Sequence, residues 1–200
     1  MLNQITYNKV NIHLIRRLMM AKYIITERTM YIKSHFEQKQ HLSLVGEFNK
    51  TPFIVEERPL SIIETSCVFY HSSYNNRKLA TKLIANITTK PPIVVDPGCN
   101  AYFFPTHSDR SKEQSWINLQ YVDHYKEGEF LDTIVYFDDK SNISVPISKY
   151  VFNSQFINTI KLEYSLRTKL KKQDRLHKRN IDEQMNPKLI EILSMYSLLS

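Results

Sequence analysis

The stretch CVFYHSSYNNRKLATKLIANITTKPPIVVDPGCNAYFFPT, residues 67–106, indicates how the rest of the chain is arranged. Within it, residues 71–90 carry basic side chains and no Asp or Glu. The proline pair at 91–92 then ends any helix, and a β-branched run at 93–95 leads into the turn sequence DPG. We therefore predict a cationic helix held against a hairpin-like element, which suits contact with phosphate groups. A solvated helix face beside an ordinary core hairpin is the alternative interpretation.

The composition favours a polyanionic partner. The 200 residues include 27 Lys and Arg against 20 Asp and Glu, a formal net charge of +7. Such a balance is typical of proteins that bind nucleic acid or an anionic membrane surface. With three glycines, the chain can form neither a GxGxxG nor a GxxxxGK[ST] phosphate loop. No apolar stretch reaches the length of a membrane span and no signal peptide is recognisable, so we expect a cytoplasmic protein without membrane association.

The Cys, His and Asp residues of the chain do not show the spacings that are typical of metal sites or of catalytic sites. Cys67 and Cys99 form no CxxC pair, and the histidines show no HExxH or HxH spacing, so we expect neither a metal nor a cofactor. Asp96, Cys99 and His107 lie close in sequence and could be imagined as a nucleophilic set. Packing explains all three residues and no glycine pattern for an oxyanion hole is present, so we expect no enzymatic activity.

Hydrophobic and turn patterns predict most of the secondary structure. Strands are expected at residues 23–26, 29–36, 42–48, 51–55, 93–95, 102–104, 115–121, 133–137 and 143–147. Helices are expected at 59–69, beginning with Pro59, and at 74–85, with Ser72 and Ser73 as N-cap candidates. Trp116 is expected in the core rather than as a platform for stacking bases.

The spacing within the helix at 74–85 predicts its two faces. Leu79, Leu83 and Ile84 are expected to point into the core. The cations of this helix are expected to project outward, and these are Arg77, Lys78 and Lys82. Two of them are four residues apart and repel mildly, which a bound anion would neutralise.

The C-terminal part of the chain is predicted to be a long basic helix. No Gly or Pro interrupts residues 149–178. Apolar residues recur at every fourth position, at Phe152, Phe156, Ile160 and Tyr164. Residues 161–179 carry eight cations against two carboxylates, so we expect contact with a polyanion, with a solvated arm as the alternative. The apolar tail at 189–199 is expected to dock on a partner, on a sister subunit or on its own core.

These elements together predict an α+β fold. It comprises a mainly antiparallel sheet, a central helix pair at about 59–85 and the long basic C-terminal helix. We expect no helix-turn-helix, because the helix pair lacks the usual tight turn with glycine. Residues 1–20 are a candidate non-native extension or disordered segment, since Met19 or Met20 could be a start. Residues 21–150 are the expected DNA-binding core, and 151–200 the basic helix and apolar tail.

Several short blocks, in a matching order, resemble the ComK competence transcription factors of Gram-positive bacteria. The blocks are CVFYHSSYNNRK at 67–78, TKPPIVVDP at 89–97, FFPTHS at 103–108 and the pair Trp116-Ile117. Their order and spacing match over the region from Pro59 to Ile147. The agreement of unrelated short blocks makes the resemblance specific.

The resemblance implies a transcription activator. It would bind paired A/T-rich boxes in double-stranded promoter DNA through the minor groove, as a dimer or a pair of dimers, and switch on genes for DNA uptake with RNA polymerase as a partner. Known members carry a C-terminal segment bound by the adaptor MecA, which delivers them to the ClpC protease, and residues 185–188 are similar to that segment. From the residues alone, an RNA-binding or ribosome-associated basic protein is the alternative.

The candidate DNA-binding residues are assigned by the chemistry of their side chains. A-tracts have a narrow minor groove of strongly negative potential, so Arg77 is the leading candidate for insertion. Lysines are expected to hold phosphates, small polar residues to donate hydrogen bonds, and the basic helix to add non-specific affinity. The candidates are Ser72, Ser73, Asn75, Arg77, Lys78, Lys82, Lys90, Lys169, Lys171, Lys172 and Arg175.

Overall fold

The computed structural model of the chain describes residues 23–184. The candidate N-terminal extension at 1–20, the MecA-like segment at 185–188 and the apolar tail at 189–199 lie outside the described residues.

Nine strands, three α-helices and one short 3-10 helix follow one another in the described part of the chain. The strands are β1 Thr29–Glu37, β2 Gln40–Glu47, β3 Phe53–Val55, β4 Ile93–Val94, β5 Tyr102–Pro105, β6 Trp116–Asn118, β7 Val122–Glu127, β8 Thr133–Phe137 and β9 Asn142–Val145. The helices are α1 Pro59–Phe69, α2 Tyr74–Ala85, the 3-10 helix Leu119–Tyr121 and α3 Lys149–Gln184.

The strands form two antiparallel sheets. The larger has six strands in the order β3-β2-β1-β6-β5-β4, and the smaller has three in the order β7-β8-β9. In the larger sheet, Ile32 of β1 pairs with Val45 of β2 on one side and with Trp116 of β6 on the other. Every strand pairing is antiparallel, so the predicted mainly antiparallel α+β fold is confirmed.

Adjacent residues of the larger sheet divide between two hydrophobic cores, because successive side chains of a strand point to opposite faces. Ile32, Phe103 and Trp116 belong to the core that also contains residues of α1 and α2. Their sequence neighbours enter the other core, with residues of the smaller sheet and of α3, and these are Tyr31, Phe104 and Ile117. The predicted place of Trp116 in the core is confirmed, since its side chain is fully buried.

The two helices α1 and α2 are joined by a short turn with defined capping. Pro59 occupies the start of α1, where its missing N–H is not needed. His71 adopts the left-handed conformation with φ 58°, and the Ser72 N–H donates back to the Cys67 carbonyl at 2.9 Å. The Ser73 side chain accepts the Asn76 N–H at 3.1 Å and caps α2. The predicted bounds of both helices and the predicted cap at Ser73 are confirmed.

The first part of α3 packs against the smaller sheet. Phe152 is fully buried, and its ring lies 5.3 Å from that of Phe104 and 4.7 Å from that of Tyr125. The described residues up to Leu162 belong to one compact unit, and those from Glu163 onward to a second. The predicted apolar recurrence is buried only at its start, since Tyr164 is 70% exposed. Among residues 23–184, no helix combines the length and the apolar character needed to cross a membrane.

Two predictions of local structure are wrong, and one strand was not predicted. Residues 23–26 form no strand; instead the Tyr23 hydroxyl donates to Glu47 at 2.9 Å and so ties the segment to β2 by side-chain contacts. The strand predicted at 115–121 ends at Asn118, whose side-chain oxygen accepts the Gln120 N–H at the start of the 3-10 helix. Strand β7 was not predicted, because its sequence VDHYKE is mostly polar and exposed.

Candidate nucleic-acid interface

A groove of about 630 Å³ lies beside α2. Its walls are the outer side of α2, the linker 86–92 and the loop 107–111, all in the first compact unit. The lining residues are Lys78, Leu79, Lys82, Ile87, Thr88, Thr89, Lys90, Pro91, Ser108, Asp109 and Arg110. Four of these are cations and one is a carboxylate, so the name basic groove is used for this set.

Asp109 holds the loop 107–111 against α2. Its carboxylate accepts the Tyr74 hydroxyl at 2.8 Å, the Lys78 ammonium at 3.0 Å and the Gln114 amide at 3.1 Å. The Lys78 Nζ also lies 4.3 Å from the centre of the Tyr74 ring. Burial alone would raise the pKa of Asp109, but the three hydrogen bonds outweigh it and lower that pKa. The carboxylate in the groove is therefore ionised and already balanced by Lys78.

We expect Asp109→Asn to lower the free energy of unfolding at neutral pH by about 1 kcal/mol, a value reduced for the partial exposure of the Lys78–Asp109 pair. Because the folded-state pKa lies below the unfolded value of about 3.9, the stabilisation is complete above that value and is lost as pH falls through the folded-state pKa. Urea unfolding of both proteins should thus show a stability gap at neutral pH that closes once the pH is below the folded-state pKa of Asp109. A gap that is constant with pH would contradict this role of the Asp109 charge.

The linker 86–92 places Lys90 at the groove. Asn86 ends α2 in the left-handed conformation with φ 55°, and Lys90 repeats that conformation with φ 45°. Ile87 is buried, and the Thr81 hydroxyl donates to the Pro92 carbonyl at 2.7 Å in a buried hydrogen bond. The linker is therefore held near its start by the buried Ile87 and at its end by the hydrogen bond from Thr81 to Pro92. Lys90 thus lies on a segment with a defined backbone conformation.

His107 sits at the base of the loop beside this linker. Its Nδ1 lies 2.9 Å from the Thr106 hydroxyl, and its Nε2 lies 3.7 Å from the Glu113 carboxylate. Burial lowers the pKa of His107, Glu113 opposes the shift, and the nearby charge of Lys90 adds to it. The ring is therefore mainly neutral at physiological pH, and the positive charge of the groove comes from lysine and arginine.

Arg77 does not project outward as predicted. Its Nη2 donates to the Tyr70 carbonyl at 3.0 Å, and its Nε is buried without a hydrogen-bond partner. The guanidinium also approaches Cys67: burial raises the pKa of that thiol to about 11, and Arg77 partly opposes the rise. Arg77 therefore points toward α1 while Lys78 points toward Asp109, so the two neighbouring cations diverge.

The remaining predicted residues fall into three groups. Lys78, Lys82 and Lys90 line the basic groove. Ser72, Ser73 and Asn75 lie at the N-terminal end of α2 and do not line it, and the Ser73 oxygen is used as the helix cap. The four cations of α3 that were predicted to bind DNA are exposed and belong to the second unit, and these are Lys169, Lys171, Lys172 and Arg175. Their contact with DNA stays a prediction.

Two residues of the groove were missed or misplaced by sequence reasoning. Arg110 is exposed on the loop, 28 residues after Lys82, and no local pattern indicates that the loop folds back onto α2. Leu79 and Leu83 were predicted to face the core, but Leu83 is 70% exposed, and Leu79 is 54% exposed and lines the groove. The buried residues of α2 are Tyr74, Thr81 and Ala85, so the buried side chains after its first residue are small. In the described part of the chain, no group of His, Cys, Asp and Glu side chains could hold a metal ion.

The fold and the groove define a basic α+β protein, built on an antiparallel sheet, with a surface suited to an anionic ligand. Residues 20–171 match the ComK protein family, and the chain therefore belongs to that family. It is 39% identical over 127 residues to a protein of Bacillus subtilis (strain 168) named competence transcription factor. The match covers 64% of this chain and 63% of that relative, so the chain spans somewhat less than two thirds of the relative's length. No solved structure matches the chain.

Proposed function

We propose that this protein is a DNA-binding activator of competence genes, which binds A/T-rich promoter DNA through the minor groove. Membership of the ComK family and the name of the Bacillus subtilis relative support the role in transcription. Self-association as a dimer or tetramer, contact with RNA polymerase and recognition by MecA are part of the proposal. The segment proposed for MecA lies outside the described residues.

The observation that carries DNA binding is the charge of the basic groove. Lys78, Lys82, Lys90 and Arg110 line it, and Asp109 is the one carboxylate among its lining residues. Since Lys78 already neutralises Asp109 at 3.0 Å, the remaining cations act on a bound ligand with little local opposition. Phosphate contacts of this kind supply most of the affinity of a protein for DNA.

Arg110 is the arginine best placed to read the minor groove. It is exposed on a loop that hydrogen bonds anchor at Asp109, so it can be inserted without loss of a contact within the groove. Arg77 would first have to leave the Tyr70 carbonyl, which would deprive a half-buried guanidinium of its hydrogen bond. We therefore assign phosphate contacts to Lys82 and Lys90 and base-edge contact to Arg110, while Lys78 balances Asp109 and Arg77 holds α2 against α1.

The geometry around Cys99 supports a non-enzymatic role. Its thiol is hydrogen-bonded to Asp96, and that interaction raises the pKa of Cys99. A raised pKa disfavours the thiolate that a nucleophile requires. The His107 ring contacts Thr106 and Glu113 rather than Cys99. Cys99 and His107 are therefore not arranged as a nucleophile and its general base.

We expect Lys82→Gln to weaken binding of the full chain to every duplex by a similar factor. Loss of one phosphate contact should reduce the slope of log affinity against log salt by about 0.9, which is about fivefold in affinity at about 0.15 M salt. Fluorescence anisotropy with an A/T-box duplex and a mixed-sequence duplex measures both quantities. Lys149→Gln is the matched control, because Lys149 is exposed but does not line the groove.

The same titrations separate DNA binding from the RNA-binding alternative. The wild-type chain should prefer the A/T-box duplex over the mixed duplex, and both over single-stranded RNA. Stronger binding to RNA, or an unchanged salt slope in Lys82→Gln, would contradict the assignment of the groove to duplex DNA.

A further inference from the structure

The cations of the basic groove come from three separate elements and line one concave volume. Lys82 belongs to α2, Lys90 to the linker after α2 and Arg110 to the loop after β5, and the groove that they share has about 630 Å³. Asp109 holds Lys78 at 3.0 Å, whereas no ion pair within the described part of the chain engages the other three cations. Their charges can therefore act together on one compact anion that carries several negative charges.

The groove also has hydroxyl groups and an apolar surface in its lining. Thr88 and Thr89 are exposed there, and a threonine hydroxyl can donate a hydrogen bond to a phosphate oxygen. Leu79 is 54% exposed in the same lining, and Pro91 is half-buried. Sites for small ligands typically have about 300–1,000 Å³ and combine apolar walls with a few polar groups. The groove therefore has the size and the lining of a small-molecule site as well as a charge that suits DNA.

We propose that the basic groove binds a nucleoside triphosphate, which competes with DNA for the same cations. The phosphate chain lies among Lys82, Lys90 and Arg110, and the base packs against Leu79 and Pro91. The competition rests on the proposed function, because it requires that duplex DNA occupies the same groove. Binding of the nucleotide itself does not depend on that function. The affinity for DNA would then depend on the concentration of nucleoside triphosphate.

A nucleoside triphosphate matches both parts of the lining. Inorganic phosphate and tripolyphosphate carry charge for the cations, but they leave the exposed part of Leu79 in contact with water. A duplex keeps the faces of its bases stacked on one another. A free nucleotide combines a phosphate chain with an unpaired base, and the faces of that base can pack against an apolar side chain.

The test titrates the full chain with ATP that carries a fluorescent methylanthraniloyl group, and unlabelled compounds then displace this probe. ATP should displace it at a concentration about fivefold lower than tripolyphosphate, because the base adds an apolar contact. Adenosine, which lacks phosphates, should not displace it. Comparison of ATP with tripolyphosphate thus separates recognition of a nucleotide from attraction of any phosphate chain.

Two variants of the groove test the two parts of the contact. Lys82→Gln should weaken the binding of ATP and of tripolyphosphate by the same factor, about fivefold. Leu79→Ser should weaken ATP about fivefold and leave tripolyphosphate unchanged. The matched controls are Lys149→Gln and Val68→Ser, which change exposed side chains outside the groove and should bind both compounds like the wild type. Circular dichroism melting checks that each variant is folded.

The competition is measured with the A/T-box duplex at constant ionic strength, because added nucleotide salt would otherwise weaken DNA binding by screening. At an ATP concentration about ten times its dissociation constant, the apparent affinity for the duplex should fall about tenfold. The same concentration of adenosine should leave the affinity for the duplex unchanged.

The outcomes separate this inference from the proposed function. If the chain binds the duplex but millimolar ATP neither displaces the probe nor weakens DNA binding, the nucleotide site is overturned while the proposed function stands. If ATP binds and the duplex does not, the nucleotide site stands and the proposed function fails. Equal affinity for ATP and tripolyphosphate, or a Leu79→Ser variant that binds ATP normally, overturns the contact with the base. Unchanged ATP binding in Lys82→Gln overturns the assignment to the basic groove.

Discussion

Trp116→Ala is expected to lower the free energy of unfolding by about 3–5 kcal/mol. The Trp116 side chain is fully buried in the core under α1 and α2. Its ring meets the Tyr74 ring edge-on, with 5.9 Å between the centroids, and its strand pairs with both β1 and β5. Alanine would leave a cavity between the larger sheet and α2 that the surrounding strands cannot close.

The loss should reach the basic groove, because Tyr74 connects the two regions. Its ring contacts Trp116, and its hydroxyl donates to Asp109, which also binds Lys78. Domains typically have a free energy of unfolding of about 5–15 kcal/mol, so a loss of this size removes a large part of the stability. DNA affinity should fall with the folded fraction rather than through a changed salt slope.

Urea unfolding of Trp116→Ala beside two other variants tests this prediction. Trp116→Phe should be milder, since the ring fills part of the space and removes a buried indole N–H that has no hydrogen-bond partner. Phe130→Ala should be nearly neutral, since Phe130 is 87% exposed. A loss of less than about 1 kcal/mol in Trp116→Ala would contradict the position of Trp116 at the centre of this core.

The sequence predicted the helix pair to the residue, because its ends are determined by local chemistry. Pro59 begins α1, Ser73 caps α2, and Asn86 and the prolines after Lys90 end the helical region. The strands of the larger sheet were predicted nearly as well, since β-branched and aromatic runs bounded by turn residues depend little on distant contacts. Strand β7 was not predicted because most of its side chains are polar and exposed, which leaves no alternating apolar pattern.

The rotation of α2 could not be predicted from its own sequence. The spacing of its leucines indicates a buried face, but Thr81 donates to the Pro92 carbonyl and Ala85 is the residue that is buried. That orientation turns Leu79 outward and Arg77 toward Tyr70. The hydrogen bond between Thr81 and the linker and the burial of Ala85 are tertiary interactions. They determine which face of α2 is buried, against the prediction from the spacing of its leucines.

The candidate site was predicted in part for the same reason. Lys78, Lys82 and Lys90 lie within one short stretch and were found by composition. Asp109 and Arg110 come from a loop that Tyr74 and Lys78 of α2 hold through hydrogen bonds to Asp109, and such a contact has no signature in the sequence. A cluster of cations in the sequence therefore predicts a candidate site for an anion. The residues that the loop 107–111 adds to that site can be identified only from the structure.

Neutralising four cations of α3 is expected to lower DNA affinity by about 10²–10³-fold at about 0.15 M salt, with a decrease of about 3.6 in the salt slope. The changes are Lys169→Gln, Lys171→Gln, Lys172→Gln and Arg175→Gln. All four side chains are exposed on one stretch of helix. We expect exposed cations of this kind to contact phosphates rather than base edges. The loss should therefore be equal for A/T-rich and mixed duplexes, and the selectivity ratio should not change.

Glutamine is a suitable replacement because its helix propensity is close to that of lysine and arginine, so circular dichroism should show unchanged helicity in the variant. Lys149→Gln, in the first turn of the same helix, is the control for a single charge change. Anisotropy titrations over a range of salt concentrations give affinity, slope and selectivity in one experiment. A drop in selectivity would place α3 at the base edges, and an unchanged slope would remove it from the DNA altogether. Affinity should fall while the preference for A/T-rich over mixed duplexes stays constant. This result is expected if the basic groove recognises the DNA sequence and α3 adds non-specific electrostatic attraction.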